Sequence, residues 1–172
     1  MGLKESGLRG SLRNVSVGID AIPDSVVTRP DDDSTTSNLD ALGIEIDIDE
    51  EWPSIGVRMS TNMDGSRGDG NPTRLRIYDP VDDEFIKTDS GLSLSAGDTH
   101  VFDDVNLNPE QNYQIVADRD GDSFTVGFID SPDFPYVSDD GKISMVEAVD
   151  DPPDTRSDNV WIFDQIGNVG FD

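Results

Sequence analysis

The chain has 172 residues, no cysteine, and 37 acidic against 12 basic side chains, for a net charge of −25. This length holds one domain with a core plus an arm or tail, and the missing cysteine removes disulfides, thiol catalysis and cysteine-based zinc or iron–sulfur sites. An acidic body repels phosphates, so nucleic acid is not an expected partner; no apolar run is long enough to cross a membrane as a helix, and no signal-peptide-like core opens the chain, so neither membrane nor export leader is expected.

Residues 1–29 carry Lys4, Arg9, Arg13 and Arg29 against Glu5, Asp20 and Asp24, a balance of +1 that leaves −26 of the total −25 on the rest of the chain. Leu3, Leu8, Leu12, Val15, Ile19 and Ile22 form an apolar set, while Gly2, Gly7, Gly10 and Gly18 disfavour a long regular helix. The stretch reads as an assembly arm, extended or briefly helical. Leu3, Leu8, Leu12, Arg9 and Arg13 are the residues that would seat in an acidic neighbour. The competing reading is an N-terminal strand of the same domain. Residues 30–38 (PDDDSTTSN) have linker composition. The expected division is therefore an arm and linker over 1–38 and a β-sandwich domain over 39–172.

Beyond the linker the pattern has period two. Ile44, Ile46 and Ile48 alternate with Glu45, Asp47 and Asp49, and Ile55, Val57 and Met59 share one face of the next segment. A Gly- and Asp-rich turn over 62–72 leads to TRLRIY at 73–78, then EFIKT at 84–88, short segments at 92–95 and 99–105, and a pair at 112–118 and 123–130. Asp120-Gly121 lies between the last two and predicts a hairpin. Segments at 143–149, 160–163 and 169–171 complete the set. None has a helical period. Short strands punctuated by turns predict an all-β protein, an antiparallel β-sandwich of jelly-roll or carbohydrate-binding-module-like form with an N-terminal arm.

About one net negative charge per seven residues destabilises a compact chain in dilute buffer. At molar salt the Debye length falls to about 3 Å and that repulsion is largely screened. Lys4, Lys87 and Lys142 are the chain's three lysines, and the scarcity of their long apolar stems fits the same salty environment. The chain reads as halophilic.

Few constellations carry chemistry. A Ser–His–Asp triad needs a histidine, and His100 is the one present; its THVFDD context reads as an edge strand. Acid pairs suited to glycan hydrolysis arise by number alone among 37 acids. No enzymatic activity is expected. Asp118, Asp120 and Asp122 alternate as oxygen ligands of a bound Ca²⁺ or Mg²⁺ would. The EF-hand pattern then fails, with Ser123 at its sixth position and Ile129 at its twelfth, and a plain turn explains the same residues. No other cofactor is expected. Asp64, Asp69, Asp139 and Asp140 are weaker cation candidates. Arg67-Gly68-Asp69 and the Asn14-Val15-Ser16 sequon are short enough to arise by chance. Trp52, Tyr78, Phe134 and Tyr136 are candidate glycan-stacking residues, because apolar ring faces match the C–H face of a sugar. The alternative is that they cover the edges of the core; Trp161 and Phe163, in a clean alternating segment, are expected in the core itself.

GLRGSLRNVSVGIDAIPDSVV at the start, SIGVRMSTN and TRLRIYD in the middle, the stretch from LSAGDTHVFDD to SFTVGFID, and the ending IFDQIGNVGF resemble structural proteins of tailed viruses that infect haloarchaea. The likeness covers most of the chain and is one of composition and style. It implies a virion surface component, a capsid turret or decoration protein or a tail fibre, assembled in the haloarchaeal cytoplasm and then extracellular. Its partners would be copies of itself, other virion proteins, and the host surface glycoprotein or its glycans. The alternative is a halophilic carbohydrate-binding module of a cellular or secreted protein.

Overall fold

The computed structural model describes residues 25–28, 35–60, 71–130, 133–150, 160–161 and 163–168, and every regular element among them is a β-strand. In chain order these are β1 (Val26–Thr28), β2 (Thr35–Leu39), β3 (Ala41–Ile48), β4 (Ile55–Met59), β5 (Arg74–Asp79), β6 (Glu84–Ser90), β7 (Thr99–Phe102), β8 (Tyr113–Asp118), β9 (Phe124–Asp130), β10 (Tyr136–Val137), β11 (Ile143–Val149), β12 (Val160–Trp161) and β13 (Phe163–Gly167). One sheet has the order β1-β13-β4-β7, a second β10-β11-β3-β8-β5-β6, and a small third β12-β9-β2. Every pair is antiparallel. The chain crosses repeatedly between the two larger sheets, from β3 to β4, back to β5 and β6, then to β7 and back to β8.

The alternation in the sequence places the core. Leu42, Ile44, Ile46 and Ile48 of β3, Leu75 and Ile77 of β5, and Tyr113, Ile115 and Ala117 of β8 are buried on one face of the six-stranded sheet. Ile55, Val57 and Met59 of β4, with Phe163 and Ile166 of β13, are buried from the four-stranded sheet. All belong to one apolar cluster. A cluster fed by two sheets makes the body sandwich-like, and each fully buried side chain of this size stabilises it by about 1.5–3 kcal/mol.

Three expectations need correction. First, the sandwich begins before residue 39. β1 lies inside the expected arm and β2 inside the expected linker. Ser25 and Val27 are buried, and β1 is the edge strand beside β13. The arm proper, with Leu3, Leu8, Leu12, Arg9 and Arg13, lies outside the described residues, as do residues 61–70 and 169–172. Second, residues 92–95 are irregular. Leu94 is buried, but its carbonyl accepts from the Asn71 side chain instead of a neighbouring strand. Third, β8 and β9 do not pair with each other. β8 pairs with β3 and β5, and β9 with β2 and β12. β2 and β3 are parted by Asp40 alone, while residues 119–123 loop out on the other side. The turn chemistry of Asp120-Gly121 is as read, with left-handed φ of 54° and 96° and an Arg119↔Asp122 bridge. The turn bulges the strand instead of reversing it.

Candidate functional site

The looped-out turn carries the densest charge cluster. Leu75, Ile77 and Ala117 point into the core, so Arg74, Arg76 and Asp118 emerge together on the outer face, with Arg74 and Asp118 in register. Asp118 Oδ1 accepts from Arg74 Nε at 2.6 Å, and its Oδ2 lies 2.6 Å from Arg76 Nε. The Asp118 side chain is only 3% exposed. Its Oδ1 also accepts from the Asp120 backbone N–H at 2.9 Å, which shapes the turn, and Arg74 Nη1 donates to Asp120 Oδ1 at 2.5 Å. Arg119 Nη1 ties the loop to the Asn71 carbonyl at 3.0 Å. The three candidate cation ligands do share one turn. Guanidinium groups engage Asp118 and Asp120, while Asp122 is exposed. Among the described residues no group of three or more His, Asp or Glu is placed to hold a metal ion. Arg74 and Arg76 were not singled out as site residues in the sequence. The signal was present: two arginines alternate on one strand of a chain with only 12 basic residues.

The four candidate stacking aromatics separate into two pairs. Trp52 is 2% exposed; its backbone bridges Leu107 in both directions and its ring belongs to the core. Glu51, Trp52, Pro53 and Asn106 line an open cleft of about 460 Å³, but Trp52 offers it almost no surface. Tyr78 is 4% exposed, stacks edge-on against Phe85 at 5.2 Å and donates its hydroxyl to Asp83. That hydrogen bond, then burial, then the negative charges of Asp83 and Asp79 push the phenol up to about 12. Neither ring face can meet a sugar, so the stacking role expected of Trp52 and Tyr78 is corrected to a structural one. Phe134 and Tyr136 are half-buried and meet edge to face at 5.8 Å beside the edge strand β10, where Val137 is exposed. These two remain at a surface.

Side chains also close both long edges of the sandwich. At one edge His100 Nε2 of β7 lies 2.8 Å from Asp89 Oδ2 of β6, and Lys87 Nζ donates to the Asp103 carbonyl at 3.0 Å. At the other edge the Ser25 N–H donates to Asn168 Oδ1 at 3.0 Å, and Asn168 N–H returns a bond to the Ser25 carbonyl at 3.1 Å. The Ser25 hydroxyl donates to Asp140, which also accepts from Ser138 Oγ at 2.6 Å. The hydroxyls of Ser138 and Ser25 hold the Asp140 carboxyl below its ordinary range, while Glu50 raises the ammonium of neighbouring Lys142.

These features define a class: an all-β, sandwich-like acidic protein whose buried Asp118 is countered by two arginines. No family model, curated protein or solved structure matches the chain.

Proposed function

We propose that this chain is a non-enzymatic structural protein of a virion surface, a capsid turret or decoration protein or a tail fibre, which assembles through its N-terminal arm. In this reading the body is a jelly-roll or carbohydrate-binding-module-like head that faces outward, toward the host glycoprotein coat. The observation that carries it is the division of charge, a balance of +1 over residues 1–29 against −26 over the rest. A nearly neutral, leucine-bearing segment joined to a strongly hydrated body suits insertion into a neighbour. The resemblance to haloarchaeal virus proteins supplies the viral setting. Deleting residues 1–24 leaves Ser25 and β1 intact, and the truncated protein is expected to keep its circular dichroism in molar salt and to be missing from purified particles. Incorporation at the level of the full chain would refute the reading.

Phe134 and Tyr136, paired at an exposed edge, favour a second reading as a carbohydrate-binding module. That reading expects glycan binding by the isolated protein in high salt, lost in Tyr136→Ala. An array without signal eliminates it.

A further inference from the structure

We propose that the tip of the β5–β6 hairpin is the seat for residues 1–24 of a second copy of this chain, so that subunits join head to tail. The proposal rests on reading that segment as an assembly arm. Among the described residues the exposed large apolar side chains are Val81, Phe85 and Val137, and the first two share this hairpin. Val81 is 67% exposed and Phe85 38%. Phe85 is fixed in place by the edge of Tyr78 and by the Arg76 guanidinium, 4.2 Å from its ring centroid. Asp82, Asp83 and Glu84 are exposed in the same turn, Asp79 is buried and bonded within it, and no basic residue falls between Tyr78 and Phe85. Exposed Val81 and the fixed ring of Phe85, on one acidic hairpin, suit a segment that carries apolar and cationic side chains side by side. Residues 1–24 have that chemistry in Leu8, Arg9, Leu12 and Arg13. At molar salt only charges in contact still attract, and burial of the leucines supplies the remainder.

The two ends sit at opposite edges of the body, which suits a contact between copies. The segment enters the body at Ser25, which Asn168 and Asp140 hold at the edge formed by β1 and the β10–β11 turn. The hairpin lies at the opposite edge, where His100 and Lys87 tie β6 to the β7 side. Donor and acceptor therefore sit on different surfaces of the subunit. Such a contact is heterologous, and it forms a closed ring when the rotation between subunits divides a full turn.

The lack of cysteine gives a clean crosslinking background. Leu8→Cys and Val81→Cys proteins, mixed in molar KCl and oxidised, are expected to give disulfide-linked heterodimers. Leu8→Cys mixed with Val137→Cys, at the other edge, is expected to give none above background. Adding Asp82→Lys and Glu84→Lys to the Val81→Cys chain should lower the yield several-fold. Light scattering should show Val81→Asp shifting mass from oligomer to monomer with an unchanged circular dichroism spectrum, since Val81 is an exposed turn residue. Equal crosslinking to positions 81 and 137, crosslinks formed only within a chain bearing both cysteines, or a wild-type protein that stays monomeric overturns the seat. If deletion of residues 1–24 dissociates the oligomer while Val81→Asp does not, the arm reading stands and the hairpin seat falls. If neither change alters the mass, both fall.

Discussion

Asp118 shows how a strongly acidic chain handles an acid that folding has buried. Its carboxylate faces two guanidinium groups, and the desolvation of three charges is offset only while all three are present. Asp118→Asn keeps the shape and removes the buried charge that Arg74 and Arg76 share. It is expected to cost about 3–5 kcal/mol in urea unfolding at molar KCl, whereas exposed Asp122→Asn should stay within about 0.5 kcal/mol. Equal effects would show that the cluster is not a buried ion pair. Tyr78 makes a separate prediction. Its phenol is raised from 10.0 to about 12 in the folded state, so the neutral form is favoured there. The stability this contributes is complete below pH 10 and is lost as pH climbs toward 12. Unfolding free energy should therefore fall across that window, and fall less steeply in Tyr78→Phe. Phenolate absorbance should carry a component that titrates near pH 12 and is missing from Tyr78→Phe.

At the scale of elements, the long alternating segments were legible because burial of one face leaves a period-two trace. β3, β4, β5, β8 and β11 lie close to where the apolar residues put them. The elements that escaped have little such trace. β1 is three residues long, β10 is two, and β2 reads TTSNL, so their placement comes from pairing with β13, β11 and β9. The Asp120-Gly121 turn misled for a related reason. Local φ preferences specify the turn, but the partner of each flanking strand is chosen by the distant β2–β3 ribbon. The same logic hid the candidate site, because Arg74 and Asp118 are 44 residues apart and meet only through sheet register. Gly167 tests one such long-range pairing. A Cβ there would strike the Ser25 carbonyl oxygen and Val26 Cγ2. Gly167→Ala should cost about 1–3 kcal/mol and speed amide exchange in β1 while β3 and β8 keep their protection. Uniform loss of protection would mean that β1 is not a separable edge.

For the whole molecule, charge decides the conditions of stability. A net charge of −25 on one small body repels itself over about 10 Å at 0.1 M salt and over about 3 Å at 1 M. The thermal midpoint is therefore expected to rise with KCl from 0.1 M into the molar range, followed by circular dichroism. A midpoint that is flat or falls with salt would contradict the halophilic reading.

The bonds between Ser25 and Asn168 also give the body a mechanical character. β1 and β13 are antiparallel, so the start of one and the end of the other lie at the same end of the pair. A pull that separates residue 25 from residue 168 loads the β1–β13 ladder from that end, and its bonds break one after another instead of sharing the load. The three-residue strand β1 is thus the weak link under tension. Tension applied between those two points is expected to peel β1 away before the apolar core yields.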